Sequence, residues 1–158
     1  AMRALPSAIS MRRPGLPLDA GRSFFGRGLK LGDNGVEVRE YIYDMPLVMA
    51  AADVVLCRAG ASTISEITAI AKPSVLVPSP NVTANHQEKN ARVLADQGAA
   101  ILLREQDCGE HTLYDTVELL MQERDRRDAM VRALNAMAVP NAGEKIYQTL
   151  REIMRDKA

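Results

Sequence analysis

From Val36 onward the chain alternates between two kinds of apolar pattern. Residues 36–42, 53–58, 74–78 and 99–103 read as strands, and the third is too rich in Val and Leu to have a solvated face. Between them lie helical patterns. One spans 45–52 and is opened by Pro46, a residue favoured in a first helical turn. A second spans 62–71, puts Ile64, Ile67, Ile70 and Ala71 on one side, and is stopped by Lys72 and Pro73. A third spans 85–97, with Gly98 as its C-terminal cap. After the fourth strand the chain is helical over 110–123, 124–138 and, beyond the break at Pro140, 142–156. Residues 1–35 sustain neither period and end in the turn cluster Gly32, Asp33, Asn34 and Gly35, so they read as irregular.

Continuous apolar strands alternating with helices predict an α/β fold, a doubly wound, Rossmann-like parallel sheet with additional C-terminal helices. Right-handed crossovers put every strand-to-helix turn at one rim of such a sheet, and ligands bind in the crevice outside those carboxyl ends. Three turns share that rim: residues 41–44, 58–63 and 78–87.

The second turn carries the most chemistry. A buried strand, Val54-Val55-Leu56, breaks at Gly60, which permits a tight turn or a close backbone approach. Ser62 and Thr63 then offer hydroxyls and free N–H groups where the helix dipole is positive, an arrangement suited to phosphate. Glu66, one turn further, can reach a neutral polar group such as a ribose hydroxyl. The same four residues, Thr63 to Glu66, also fit a capping box, in which Glu66 bonds back to the Thr63 backbone and Gly60 is only a turn residue. In the third turn, Asn85 and Glu88 fit a helix cap, but that leaves His86, Gln87 and Asn90 unexplained. Amide side chains both donate and accept, which suits sugar hydroxyls. His86 near a helix N-terminus reads as a neutral hydrogen-bonding group and not as a catalyst, and His111 as a solvated residue.

Composition narrows the class. A chain of 158 residues, 47% apolar and 25% charged, is the size and character of one globular domain. With no Trp, two Phe and four Tyr it lacks the stacking platforms of single-stranded nucleic-acid binders, so no nucleic-acid partner is expected. Arg3, Arg12, Arg13, Arg22, Arg27 and Lys30 face only Asp19 in the first 30 residues, which makes a basic leader on a mildly acidic body. Pro14, Gly15, Pro17 and Asp19 break that leader well short of a signal sequence. Two separated cysteines, Cys57 and Cys108, form neither a disulfide framework nor a metal cluster, and the expected compartment is the cytoplasm. Cys57 reads as a small apolar core residue.

Four segments in order, Tyr-Ile-Tyr-Asp-Met at 41–45, Ala-Asp-Val-Val-Leu-Cys-Arg-Ala-Gly-Ala-Ser-Thr-Ile-Ser-Glu at 52–66, Lys-Pro-Ser-Val-Leu-Val-Pro at 72–78 and His-Gln-x-x-Asn-Ala at 86–91, resemble the MurG-type bacterial N-acetylglucosaminyltransferases. The resemblance runs from about Val36 to the C-terminus and implies the C-terminal, donor-binding domain of a GT-B enzyme of glycosyltransferase family 28. Such enzymes transfer N-acetylglucosamine from UDP-GlcNAc to a lipid-linked muramoyl-pentapeptide in peptidoglycan synthesis, with inversion and with no metal or other cofactor. They work on the cytoplasmic face of the cell membrane. By resemblance, the Ile42 backbone would contact uracil, and Arg58, Gly60, Ala61, Ser62 and Thr63 would form the turn that meets the diphosphate and sugar. Glu66 would bind the ribose, and Gln87, with His86 and Asn90, the sugar.

The acceptor-binding half of that family and the Gly-Gly-Ser-type loop that opens its donor domain have no counterpart here. The expectation is therefore a fragment, 36–158 a partial donor domain and 1–35 an unrelated leader from a truncated reading frame, inactive alone. Two alternatives stand beside it: a subunit of a split two-chain transferase, and a non-catalytic nucleotide-binding remnant. A sheet without its first strand is also expected to expose an edge through which the chain could self-associate.

Overall fold

The computed structural model describes residues 8–11, 41–109 and 111–155. Strand β1 (Ala8–Met11) is followed by helix α1 (Met45–Ala51), strand β2 (Val54–Cys57), α2 (Ala61–Ala69), β3 (Ser74–Leu76), α3 (His86–Ala95), β4 (Ile101–Leu102), α4 (Thr112–Gln122), α5 (Arg124–Met137) and α6 (Ala142–Arg155). The sheet order is β1-β2-β3-β4. Strands β2, β3 and β4 are parallel, with Leu56 opposite Val75 and Leu76 opposite Leu102.

Each strand and helix expected from 45 onward is present, usually shortened at its ends. The strand expected at 36–42 does not extend into Tyr41 and Ile42, and its first five residues lie outside the described ones, as do 1–7 and 12–35. The stretch read as irregular does contribute β1, which pairs antiparallel with β2 from Ala8 opposite Cys57 to Met11 opposite Val54. The outer edge of β2, expected to be open, is thus occupied by the chain itself. Local pattern could not reveal this, because β1 is four residues long and is fixed by the unpaired backbone groups of β2.

All four residues of β2 and all three of β3 are buried because the sheet is covered on both faces. Val55, Cys57 and Leu76 point to one side and pack with Ile67 of α2, Ala91 and Leu94 of α3 and Leu134 of α5. Val54, Leu56, Val75 and Val77 point to the other, against Val117 and Leu120 of α4 and Met130 of α5. Each fully buried aliphatic side chain contributes about 1.5–3 kcal/mol relative to exposure.

Polar ties fix the helix ends. The Lys72 ammonium donates to the carbonyls of Ala50 and Ala52 at 3.0 and 2.7 Å, which caps α1, and burial pulls its pKa below the usual lysine range. Only Glu123 separates α4 from α5, and the buried Arg127 guanidinium donates to the carbonyls of Leu120, at 2.7 Å, and Met121. Gly98, at φ 67°, ends α3, and Ala99 N–H donates back to the Leu94 carbonyl at 2.9 Å. Helix α6 differs from the rest, since Ile146, Tyr147, Leu150, Ile153 and Met154 recur on it at helical spacing yet all are exposed.

Candidate functional site

At the carboxyl end of β2 the chain turns directly into α2, with Gly60 as N-cap in extended backbone, φ −66° and ψ 153°. The first bond of the helix runs from Ile64 N–H to the Gly60 carbonyl at 3.0 Å. The N–H groups of the preceding positions have no intrahelical acceptor, and among the described residues no side chain caps them. Ala61 and Ser62 are exposed, and Thr63 is half-buried. The capping box is therefore not formed, and Glu66 stands exposed one turn in. Burial and, to a smaller degree, the nearby Glu66 carboxylate push the Cys57 thiol up to about 12, so Cys57 is a neutral core residue and no nucleophile.

The start of α3 comes to the same rim through two successive residues in left-handed backbone, Ala84 at φ 54° and Asn85 at φ 52°. Asn85 does not cap the helix backbone; its side-chain amide donates to Glu88 at 2.8 Å. That bond, followed by those from Arg92, holds the Glu88 carboxyl below its usual range. The His86 ring donates from Nδ1 to the Thr83 carbonyl at 2.9 Å. A carbonyl only accepts, so Nδ1 carries the hydrogen, and neutral His86 would expose Nε2 as an acceptor.

Two amides tie α3 to its neighbours. Ser79 N–H donates to Gln87 Oε1 at 2.9 Å, and Asn90 Nδ2 donates to the Ala59 carbonyl at 3.3 Å. Gln87 and Asn90 are thus drawn against the turns after β3 and β2, and the segments 58–66 and 79–90 become one surface. The Nε2 of Gln87 and the Oδ1 of Asn90 make no hydrogen bond among the described residues.

Arg58 is tied to neighbouring loops through one guanidinium nitrogen. Its Nη1 donates to the carbonyls of Val77 and Pro78 at 3.2 and 3.3 Å and pairs with the Glu105 carboxylate. Ile42 is half-buried just before α1, between the exposed rings of Tyr41 and Tyr43, whose centroids are 4.8 Å apart. No hydrogen bond among the described residues joins Ile42 to the other two turns. Glu105 and Ser79 escaped the sequence reading. The signal for Glu105 was available, since it follows the fourth strand at the same rim.

Comparison with known proteins agrees with this architecture. Residues 22–146 match the glycosyltransferase family 28 C-terminal domain, so the match begins inside the stretch expected to be an unrelated leader. A UDP-N-acetylglucosamine--N-acetylmuramyl-(pentapeptide) pyrophosphoryl-undecaprenol N-acetylglucosamine transferase of Acetivibrio thermocellus is 45% identical over 123 residues, 78% of this chain and 33% of that protein. The same-named transferase of Halalkalibacterium halodurans is 43% identical over 120 residues, 76% of this chain and 33% of that protein. The crystal structure of Acinetobacter baumannii MurG superposes with a TM-score of 0.67 at 31% identity, covering 73% of this chain and 35% of MurG. The chain spans about a third of the length of these relatives. The sheet, its rim and these matches together make this chain a member of the glycosyltransferase family 28 C-terminal domain family.

Proposed function

We propose that this chain binds UDP-GlcNAc as the donor-holding half of an inverting N-acetylglucosaminyltransferase that converts lipid I to lipid II on the cytoplasmic face of the cell membrane. The observation that carries the proposal is the uncapped first turn of α2, with Ser62 and Glu66 exposed beside it and Gln87 and Asn90 drawn to the same surface. In this reading the N–H groups of Ala61, Ser62 and Thr63 receive the diphosphate, and Gly60 lets it approach the backbone. Glu66 accepts from the ribose hydroxyls, the Ile42 backbone holds the uracil, and Gln87, Asn90 and His86 contact the sugar. Negative charge grows on the UDP leaving group as the glycosidic bond to phosphate breaks, and fixed N–H dipoles stabilise it without reorganising. The groups on this surface serve to hold the donor.

In a second reading a separate chain supplies the acceptor half, and the exposed apolar stripe of α6 leaves a surface for another body to cover. Calorimetric titration with UDP and UDP-GlcNAc tests the donor site. Glu66→Ala removes a charged hydrogen-bond acceptor, an effect of about 1.5–3 kcal/mol or roughly 10- to 150-fold in affinity. Equal binding by the variant would remove Glu66 from the ribose site, and no binding by the unaltered chain would remove the donor reading altogether.

A further inference from the structure

Arg58 leaves the carboxyl end of β2 between two buried residues, Cys57 and Ala59, and its side chain is itself mostly covered. One guanidinium nitrogen donates to the last carbonyls of the third-strand segment, Val77 and Pro78. It also pairs with Glu105, which opens the 3₁₀ turn Glu105–Asp107 after β4. A single side chain therefore joins the ends of all three parallel strands. The residues it joins adjoin the site: Gly60, the N-cap of α2, is two positions from Arg58, and Ser79, which holds Gln87, follows Pro78. Asn90 closes the circuit by donating to the carbonyl of Ala59.

We infer that Arg58 and Glu105 are a positioning pair for the donor site: Arg58 acts through the three loops it joins and does not touch the diphosphate, and Glu105 holds it there. The inference rests on the donor-binding reading above. Its physical basis is that both carbonyls and the carboxylate converge on one cationic nitrogen, Nη1, so a shift of any of the three loops disturbs the same set of contacts. A lysine has the charge but a shorter side chain, which draws the cation back from that point. Glu105 adds the counter-charge that keeps the guanidinium turned from an incoming phosphate.

Titration with UDP, run well below the melting temperature on the unaltered chain, Glu105→Gln, Arg58→Lys and the double variant, separates the possibilities. Val117→Ala, on the far face of the sheet, serves as a control of lowered stability. Positioning predicts that Glu105→Gln weakens UDP binding by about five- to tenfold, that Arg58→Lys does much the same, and that the double variant is no worse than the worse single one, as coupled members of one network behave. Glu105→Asp, too short to reach while keeping its charge, should reproduce the loss. If Arg58 instead bound phosphate directly, Glu105→Gln would leave binding unchanged or tighten it by freeing the cation, and the inference would fail. It would fail equally if melting temperatures fell while affinities matched those of Val117→Ala. An unaltered chain that does not bind UDP would overturn the donor reading and this inference with it; a binding chain indifferent to Glu105 would overturn the inference alone.

Discussion

Replacing Gly60 by alanine separates a turn that needs glycine from a turn that leaves room for a ligand. The backbone at Gly60, φ −66° and ψ 153°, is open to any L-residue. A Cβ built there meets nothing nearer than Thr63 Oγ1 at 3.8 Å, an ordinary contact. Two small effects then set the stability of Gly60→Ala. Alanine narrows the unfolded ensemble, a gain of about 0.4–1 kcal/mol. It is also a poorer N-cap than glycine, a loss of roughly 0.5–1 kcal/mol. These cancel, and since 1 kcal/mol moves the melting temperature of a domain this size by about 2–4 °C, Tm should stay within about 3 °C. Binding should respond differently. The new methyl stands at the mouth of the α2 amides, and crowding a close-packed contact costs about 1–3 kcal/mol, or roughly 5- to 150-fold in UDP affinity. Gly60→Ser sharpens the contrast, because serine caps well and should raise Tm by about 2–4 °C while weakening UDP to a similar degree. Thermal melts and calorimetric titration on the three proteins decide it. Unchanged UDP affinity in both variants would refute close approach as the reason for this glycine, and a Tm fall of more than about 6 °C would refute the claim that the turn does without it.

Two further outcomes follow from the backbone and from the core. Ala71 ends α2 at φ 49°, with Lys72 N–H bonded back to the Ile67 carbonyl at 3.1 Å, a position where glycine carries no steric penalty. Ala71→Gly should therefore stabilise by about 1 kcal/mol, read as a higher urea midpoint at unchanged slope; a lower midpoint would contradict the strain argument. Cys57, its pKa pushed up to about 12 by burial and then by Glu66, keeps its proton when folded but loses it above the ordinary 9.0 when unfolded. Its contribution is fully present below pH 9 and is lost as pH rises from about 9 towards 12, up to about 4 kcal/mol in all. Lys72, whose pKa is lowered, opposes this over a window that ends at its ordinary 10.5. The midpoint advantage of the native protein over Cys57→Ala should shrink between pH 8 and pH 11, and a constant difference would show that the thiol is not buried as described.

Period and turn chemistry made most of the fold legible, because the residues that fix β2, β3 and α2 lie within those elements. The apolar runs at Val54 to Leu56 and Val75 to Val77 are buried on both faces, as their lack of alternation required. The antiparallel β1 was not legible, since its pairing with β2 spans more than forty residues and leaves no periodic trace in four. At the site, residue types and the rim placed Ser62, Glu66 and Gln87 together, but not their bonding. Only geometry decides that Thr63 and Glu66 form no capping box, or that Asn85 reaches Glu88 instead of a backbone N–H. Arg58 illustrates the limit best. The resemblance alone put it among the donor-binding residues, while its partners, carbonyls about twenty residues away and Glu105 beyond the next strand, are invisible to local sequence.

The bonding also divides the polar groups of the rim into two sets, and the division bears on how such a site can work. Arg58, Gln87 Oε1 and Asn90 Nδ2 are committed to backbone groups of neighbouring loops. Ser62 and Glu66 are exposed, and the first-turn amides of α2 have no capping side chain among the described residues. Groups of the first set would be poor ligands, because each would have to abandon a buried or half-buried partner, at a cost of up to about 1–3 kcal/mol, before gaining a new one. They are good scaffolding for the same reason, since they hold the outward groups in place before any ligand arrives. A diphosphate meeting amides already aligned requires little reorganisation, and the same alignment serves it when charge builds on the leaving group. Stabilisation by fixed dipoles therefore depends on the groups committed to neighbouring loops as much as on those that meet the donor.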